Sequence, residues 1–161
     1  MTDLVIKIPE VMNTIDIKIQ QEDVYEEVAK ATDYTGSKLV NGDDSARDRI
    51  LAADDDLHTL DRFWDEAVVA VNEHLKSMLV TGRSDNGIYK ACLEVSLSFD
   101  KELAPSVEST VRSFFIASII GDWFKFANKE EANDYFAQAA EMLVAADRLL
   151  YSRKKPSRPT D

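Results

Sequence analysis

One cysteine and two histidines are all that 161 residues offer to thiolate or imidazole chemistry. Cys92 alone makes no disulfide within the chain. Met1-Thr2-Asp3-Leu4 shows neither a basic start nor a long apolar stretch, so the chain is expected to be an intracellular, soluble protein of a reducing compartment. Five glycines and four prolines are too few for a collagen-like or low-complexity chain. No apolar run approaches the roughly 18–20 residues that a membrane span requires. Basic charge is also short: 19 Lys and Arg face 30 Asp and Glu, for a net charge of −11.

What is present is the make-up of a globular domain, 45% hydrophobic and 30% charged. A chain this long buries roughly two thirds of its unfolded surface, enough to fold without disulfide or metal. From Ser152 onward the chain carries four basic residues (Arg153, Lys154, Lys155, Arg158) and one acidic; before it stand 15 basic and 29 acidic. An acidic body repels phosphate backbones, which argues against general nucleic-acid binding. A basic tail on such a body suits docking on an acidic surface, a neighbouring copy included; the plainer reading is a solubilising end.

Periodicity predicts a mainly α protein: a four- to five-helix bundle with a small antiparallel sheet or hairpin, in one domain over 1–152 followed by a basic, extended tail over 153–161. Leu4–Ile8 and Ile15–Ile19 alternate as strands do, with Pro9 and Asn13 punctuating the gap. Gln21–Asp33 changes to helical period, and Tyr34–Asp44 reads as a loop. Ser45–Ala53 reads as a short helix. A long helix then follows the capping run Asp54-Asp55-Asp56, with Leu57, Leu60, Trp64, Val68, Val71, Leu75 and Met78 on one side and Gly82 as its end. Asn86-Gly87 signals a turn. Leu93, Val95, Leu97 and Phe99 alternate as a third strand, and Pro105 opens another helix.

That helix is expected to run to about Ala127, and it is unusual. Ten of its fourteen residues from Phe114 to Ala127 are apolar. So wide a stripe marks either a central core helix or one with a second face on another subunit; Phe115, Ile119, Trp123 and Phe126 are the residues in question. Asn128 is placed to cap a last helix, with Tyr135, Ala139, Met142, Ala146 and Leu149 inward, ending near Tyr151.

Catalytic and cofactor patterns are missing, so no catalytic, metal or cofactor residue is assigned and a non-enzyme is expected. A bundle-type dimetal centre needs two Glu-x-x-His pairs and further carboxylates. Only Asp55-x-x-His58 comes near, and His74 stands apart. Asp54–Asp56 lacks the glycine and closing glutamate of a calcium loop. Gly36-Ser37-Lys38 lacks the upstream glycine of a phosphate loop. Cys92 has the strand parity opposite to Leu93 and Val95 and no base nearby in sequence, as an inert thiol does.

The order of segments is nonetheless familiar. Tyr34-Thr35-Gly36-Ser37-Lys38 precedes an Asp-rich stretch, then Leu60-Asp61-Arg62-Phe63-Trp64-Asp65-Glu66-Ala67. Ser98-Phe99-Asp100 leads to Ser113-Phe114-Phe115-Ile116 and Gly121-Asp122-Trp123-Phe124. The close is Leu150-Tyr151-Ser152-Arg153-Lys154-Lys155-Pro156-Ser157-Arg158-Pro159. From about Val24 to Pro159 the chain resembles small proteins encoded among the structural genes of tailed phages and prophages of gut Bacteroidetes. In size, helix order and a strand or hairpin insert it is similar to head–tail connector (adaptor) proteins.

The resemblance implies a virion assembly protein of the neck, assembled in the bacterial host cytoplasm. About a dozen copies would form a ring between portal and tail, through whose lumen DNA passes without specific binding. It transfers no catalytic residue, no cofactor and no membrane contact. Arg153, Lys154, Lys155, Pro156, Arg158 and Pro159 become the expected strap onto a neighbouring subunit or the portal. The two amino-terminal strands depart from the simplest helical connectors and leave room for another neck or tail-completion role. Two other classes stay open: a soluble interaction or regulatory module, which would show one groove on a charged surface, and an enzyme, which would show a deep pocket with convergent polar groups.

Overall fold

The structure, a computed structural model, describes residues 12–39 and 56–154. The expected strand Leu4–Ile8, the short helix Ser45–Ala53 and the tail residues Lys155, Pro156, Arg158 and Pro159 lie outside those residues. Strand β1 (Met12–Gln20) runs directly into helix α1 (Gln21–Leu39). Helix α2 (Leu57–His74) is followed by the hairpin strands β2 (Leu79–Asp85) and β3 (Ile88–Ser96). One 3₁₀ turn, Lys101–Leu103, precedes helix α3 (Ala104–Phe124), and helix α4 (Lys129–Leu150) ends the described fold. The architecture is mainly helical with a small three-stranded antiparallel sheet, as the periodicity predicts.

The sheet is ordered β1-β3-β2, so β3 lies in the middle. Alternation decides its faces: Ile15, Ile17 and Ile19 of β1 and Tyr89, Ala91, Leu93 and Val95 of β3 are all buried, and the residues between them look outward. The β2–β3 connection is the two-residue turn Asn86-Gly87 with φ of 52° and 74°. Both values are left-handed, as the hairpin turn matching strand twist requires, which is why Asn and Gly stand there. The Gly87 carbonyl accepts a 2.8 Å hydrogen bond from the Gln21 N–H, fixing the point where β1 becomes α1.

Helix α3 is the centre of the molecule. It packs on β1, α1 and α2 with one part of its surface and on α4 with the rest. Its apolar width is therefore consumed within the chain: Val107, Val111, Phe114, Phe115, Ala117, Ile119, Ile120 and Phe124 are buried. Phe115 sits between Trp64 of α2 at 4.7 Å and Tyr89 of β3 at 5.3 Å between ring centroids. Offset ring packing of this kind adds about 0.5–1.5 kcal/mol per pair beyond area burial. Where α3 crosses α4, Gly121 is buried against the Phe136 ring; a Cβ there would lie 2.6 Å from Phe136 Cε1.

Several boundaries differ from the sequence reading. Tyr34–Leu39 continues α1 rather than forming a loop, because Gly36 at a helix interior costs only about 1 kcal/mol. The long helix, expected to carry Leu75 and Met78 and to end at Gly82, ends at His74, and Gly82 lies inside β2. Met78 N–H closes a turn on Leu75 C=O at 2.9 Å, and the Asn72 side chain fills the space that a Cβ on Gly82 would need. Leu57 is 46% exposed rather than inward. Asp56 occupies the cap position of α2 without a side-chain capping bond.

Asn13 falls within β1 rather than in a gap. Strand β3 starts at Ile88 and ends at Ser96, where the Phe99 N–H turns back to the Ser96 carbonyl at 3.0 Å; Leu97 therefore loses its parity and is half-exposed. Asn128 caps α4 as expected, accepting from the Glu131 N–H at 3.3 Å. Leu150 is buried on that helix and Leu149 only half so.

Candidate interaction surfaces

Helix α3 ends at Phe124 because the next residues turn tightly. The N–H groups of Ala127 and Asn128 both donate to the Phe124 carbonyl, at 3.0 and 2.8 Å. Phe124 itself is buried and stacks with Tyr135 at 6.0 Å, so the turn is held from below. Above that anchor Phe126 is 87% exposed, with the Lys125 ammonium 5.8 Å from its ring centroid. Trp123 is half-buried beside it. The four residues singled out by sequence on an expected longer helix thus separate: Phe115 and Ile119 are core, Trp123 lies at the boundary, and Phe126, beyond the end of α3, is surface. Within the same turn of helix, burial and the nearby Glu66 carboxylate push the Asp122 carboxyl up to about 6, against the opposing pull of Lys125 and Arg62.

The basic segment begins as an ordered strand-like contact. Phe99 and Arg153 form an antiparallel bridge, and the Lys154 N–H donates to the Ser98 carbonyl at 2.8 Å. Arg153 Nη1 donates to the Tyr151 carbonyl at 2.9 Å. Arg153 and Lys154, together with Asp100, Lys101 and Glu102, line a surface depression. Arg153 and Lys154 are exposed there.

A broad, open cleft of about 770 Å³ lies between the start of α1, the first turns of α2 and the hairpin turn. Its polar wall is a short network: the Tyr25 hydroxyl donates to Asp61 Oδ1 at 2.5 Å, and Gln21 Nε2 donates to the Tyr25 oxygen at 2.9 Å. Burial first, and then the bond to Asp61, push the Tyr25 phenol far above its ordinary range. A phenol held this way keeps its proton and serves as a tie between α1 and α2, not as an acid or base near neutrality. Ala29, Leu57 and Ile88 supply the apolar part of the cleft.

The remaining reactive side chains are dispersed. His58 is exposed in the first turn of α2, and His74, at its last residue, lies 2.9 Å from Asp147 Oδ2 of α4. Sixteen residues of helix hold the two rings roughly 24 Å apart along the axis. Partial burial and the Asp16 carboxylate opposite raise the Cys92 thiol, the direction of an unreactive sulfur. Among the described residues no group of three potential metal ligands converges. Among them, too, no helix is long and apolar enough to cross a membrane.

Sequence reasoning did not bring Tyr25 and Asp61 together, since they are 36 positions apart on different helices. No family model, curated protein or solved structure matches the chain.

Proposed function

We propose that the chain is a structural assembly protein of a tailed-phage virion, a head–tail connector whose copies form a ring between portal and tail around the DNA channel. The observation that carries this reading is Phe126: a large aromatic, 87% exposed, on a turn anchored by buried Phe124 and flanked by half-buried Trp123. Aromatic side chains on rigid supports are the usual energetic centres of protein interfaces. The net charge of −11 suits a lumen along which DNA slides without sticking. The short ordered start of the basic segment at Arg153 and Lys154 gives a strap onto a neighbouring subunit or the portal a fixed point of departure. No cofactor, metal or membrane contact enters this reading; the setting is the virion neck, assembled in the bacterial cytoplasm.

The test is the mass of the purified protein, alone and mixed with the portal and tail proteins encoded beside it. A ring-sized oligomer, or a monomer that assembles only on the portal, supports the proposal. Phe126→Ser is expected to keep the thermal midpoint and lose assembly. A chain that stays monomeric or dimeric with every virion protein overturns it. The open cleft at Tyr25 and Leu57 favours a second reading, a soluble interaction module, and that outcome would select it.

A further inference from the structure

The outer face of the sheet carries an arrangement that folding alone does not favour. Lys18 of β1 is directly opposite Lys90 of β3, and Lys90 is directly opposite Arg83 of β2. All three are exposed on the face turned away from the helices. Like charges directly opposed across strands destabilise a sheet, and the chain places three of its scarce cations in one such row. With strands about 4.8 Å apart, the row spans roughly 10 Å. Carboxylates do stand nearby on the same face, at Asp16, Asp85 and Glu94. Even so, none of the three cations has an ion pair among the described residues; Asp16 instead leans on Cys92.

The complementary surface is on the same chain, on the opposite side. The molecule is layered as sheet, α3, then α4, since α4 packs chiefly on α3. The outward side of α4 presents Glu130, Asp134 and Glu141, all exposed, at spacings of four and seven that keep them on one stripe. Asp134 and Glu141 are about 10 Å apart along the axis, the width of the cation row. Exposed Ala137 and Val144 lie on that stripe, so an approaching surface meets small side chains between the charges; Arg148 closes it.

We infer that the Lys18–Lys90–Arg83 row docks on the Glu130–Asp134–Glu141 stripe of a second copy of this chain. The inference rests on the proposed assembly function and names the contact that builds it. Because the two surfaces lie on opposite sides of one subunit, they cannot satisfy each other in a two-fold dimer. They join head to tail, the type of contact that closes into rings or extends as filaments. Attraction between the patches also offsets the cross-strand repulsion that the isolated sheet bears.

Charge reversal with rescue tests this, read as native mass at 50 and 500 mM salt. Wild type is expected to self-associate at low salt and to weaken at high salt, where charges are screened within a few ångströms. K18E/R83E/K90E and E130K/D134K/E141K are each expected to associate about tenfold or more less tightly, and an equimolar mixture of the two to associate again. K18Q/R83Q/K90Q guards against misfolding: it removes the repulsion, so its thermal midpoint should not fall while association does. Wild type that stays monomeric alone overturns the contact, as does undiminished association of either reversal. So does a wild-type monomer whose cation row instead retains a short single-stranded oligonucleotide. A ring on the portal that survives both reversals overturns this contact and leaves the proposed function standing; no assembly under any mixture overturns both.

Discussion

Ile17 and Lys18 are adjacent in β1, and Gly121 and Asp122 are adjacent in α3, yet each pair divides between two environments. Ile17 is 1% exposed under α3, and Lys18 stands in the open cation row. Gly121 is pressed against the Phe136 ring, and Asp122 is half-buried near Glu66 and Arg62. The inward member of each pair is set by space and the outward member by charge. One residue of register or rotation separates them, because side chains alternate along a strand and turn by about 100° per residue on a helix.

The largest effect belongs to the inward side of the sheet. Ile17→Ala is expected to lower stability by about 2–5 kcal/mol, as removal of buried methyl groups does; a denaturant melt reading under 1 kcal/mol would show that the helices do not press on β1. Gly121→Ala comes next. Helix propensity alone favours alanine by about 1 kcal/mol, but overpacking against Phe136 costs about 1–3 kcal/mol, and a net loss is expected. A thermal midpoint that rises instead means that α3 and α4 sit further apart at their crossing.

Asp122 gives a smaller effect with a definite pH signature. Its folded-state value of about 6 lies above the ordinary 3.8, so the folded chain holds that proton more tightly than the unfolded one. Its contribution is present at acid pH and is lost as pH rises through about 4 to 6. Asp122→Asn should flatten the stability profile in that window and raise stability at pH 7–8 by about 1–2 kcal/mol, below the full value of the shift because water still reaches the group. An unchanged pH profile would remove Glu66 and burial as the cause. Smallest of all, Lys18→Gln should change stability by less than about 0.5 kcal/mol, and towards gain, since it relieves a like-charge pair. A clear loss in a thermal melt would mean that Lys18 has a partner within its own chain.

Elements with a strong period were legible. β1, the hairpin turn at Asn86-Gly87, the Asn128 cap and the four described helices follow from alternation, left-handed turn residues and 3.6-residue spacing. The errors cluster where local signals compete. Gly36 and Gly82 look like breaks, but α1 passes through the first, and the second is a strand residue chosen for the approach of Asn72. Leu97 keeps the pattern of β3 after the chain has already turned out of the sheet at Ser96. Of the candidate surfaces, Phe126 was in view from sequence as one of four aromatic or aliphatic candidates, though not as the one that reaches solvent. Two of the three members of the cation row were in principle visible: Arg83 and Lys90 lie symmetrically about Asn86-Gly87, and a two-residue hairpin pairs such positions. Lys18 could join them only through the long-range pairing of β1 with β3.

The sequence by itself determined the fold class, the acidity of the body and the scarcity of reactive side chains, because periodicity, charge and composition are properties of the chain read in order. Tertiary structure alone decided that the broad apolar surface of α3 is filled from within by α1, α2, β1 and α4, leaving Phe126 at the surface. It alone brought Lys18 beside Lys90 and Arg83 through the pairing of β1 with β3, and set the acidic stripe of the last helix across α3 from the sheet. Both outcomes depend on contacts between residues tens of positions apart, which the geometry of packing selects and which no local pattern encodes.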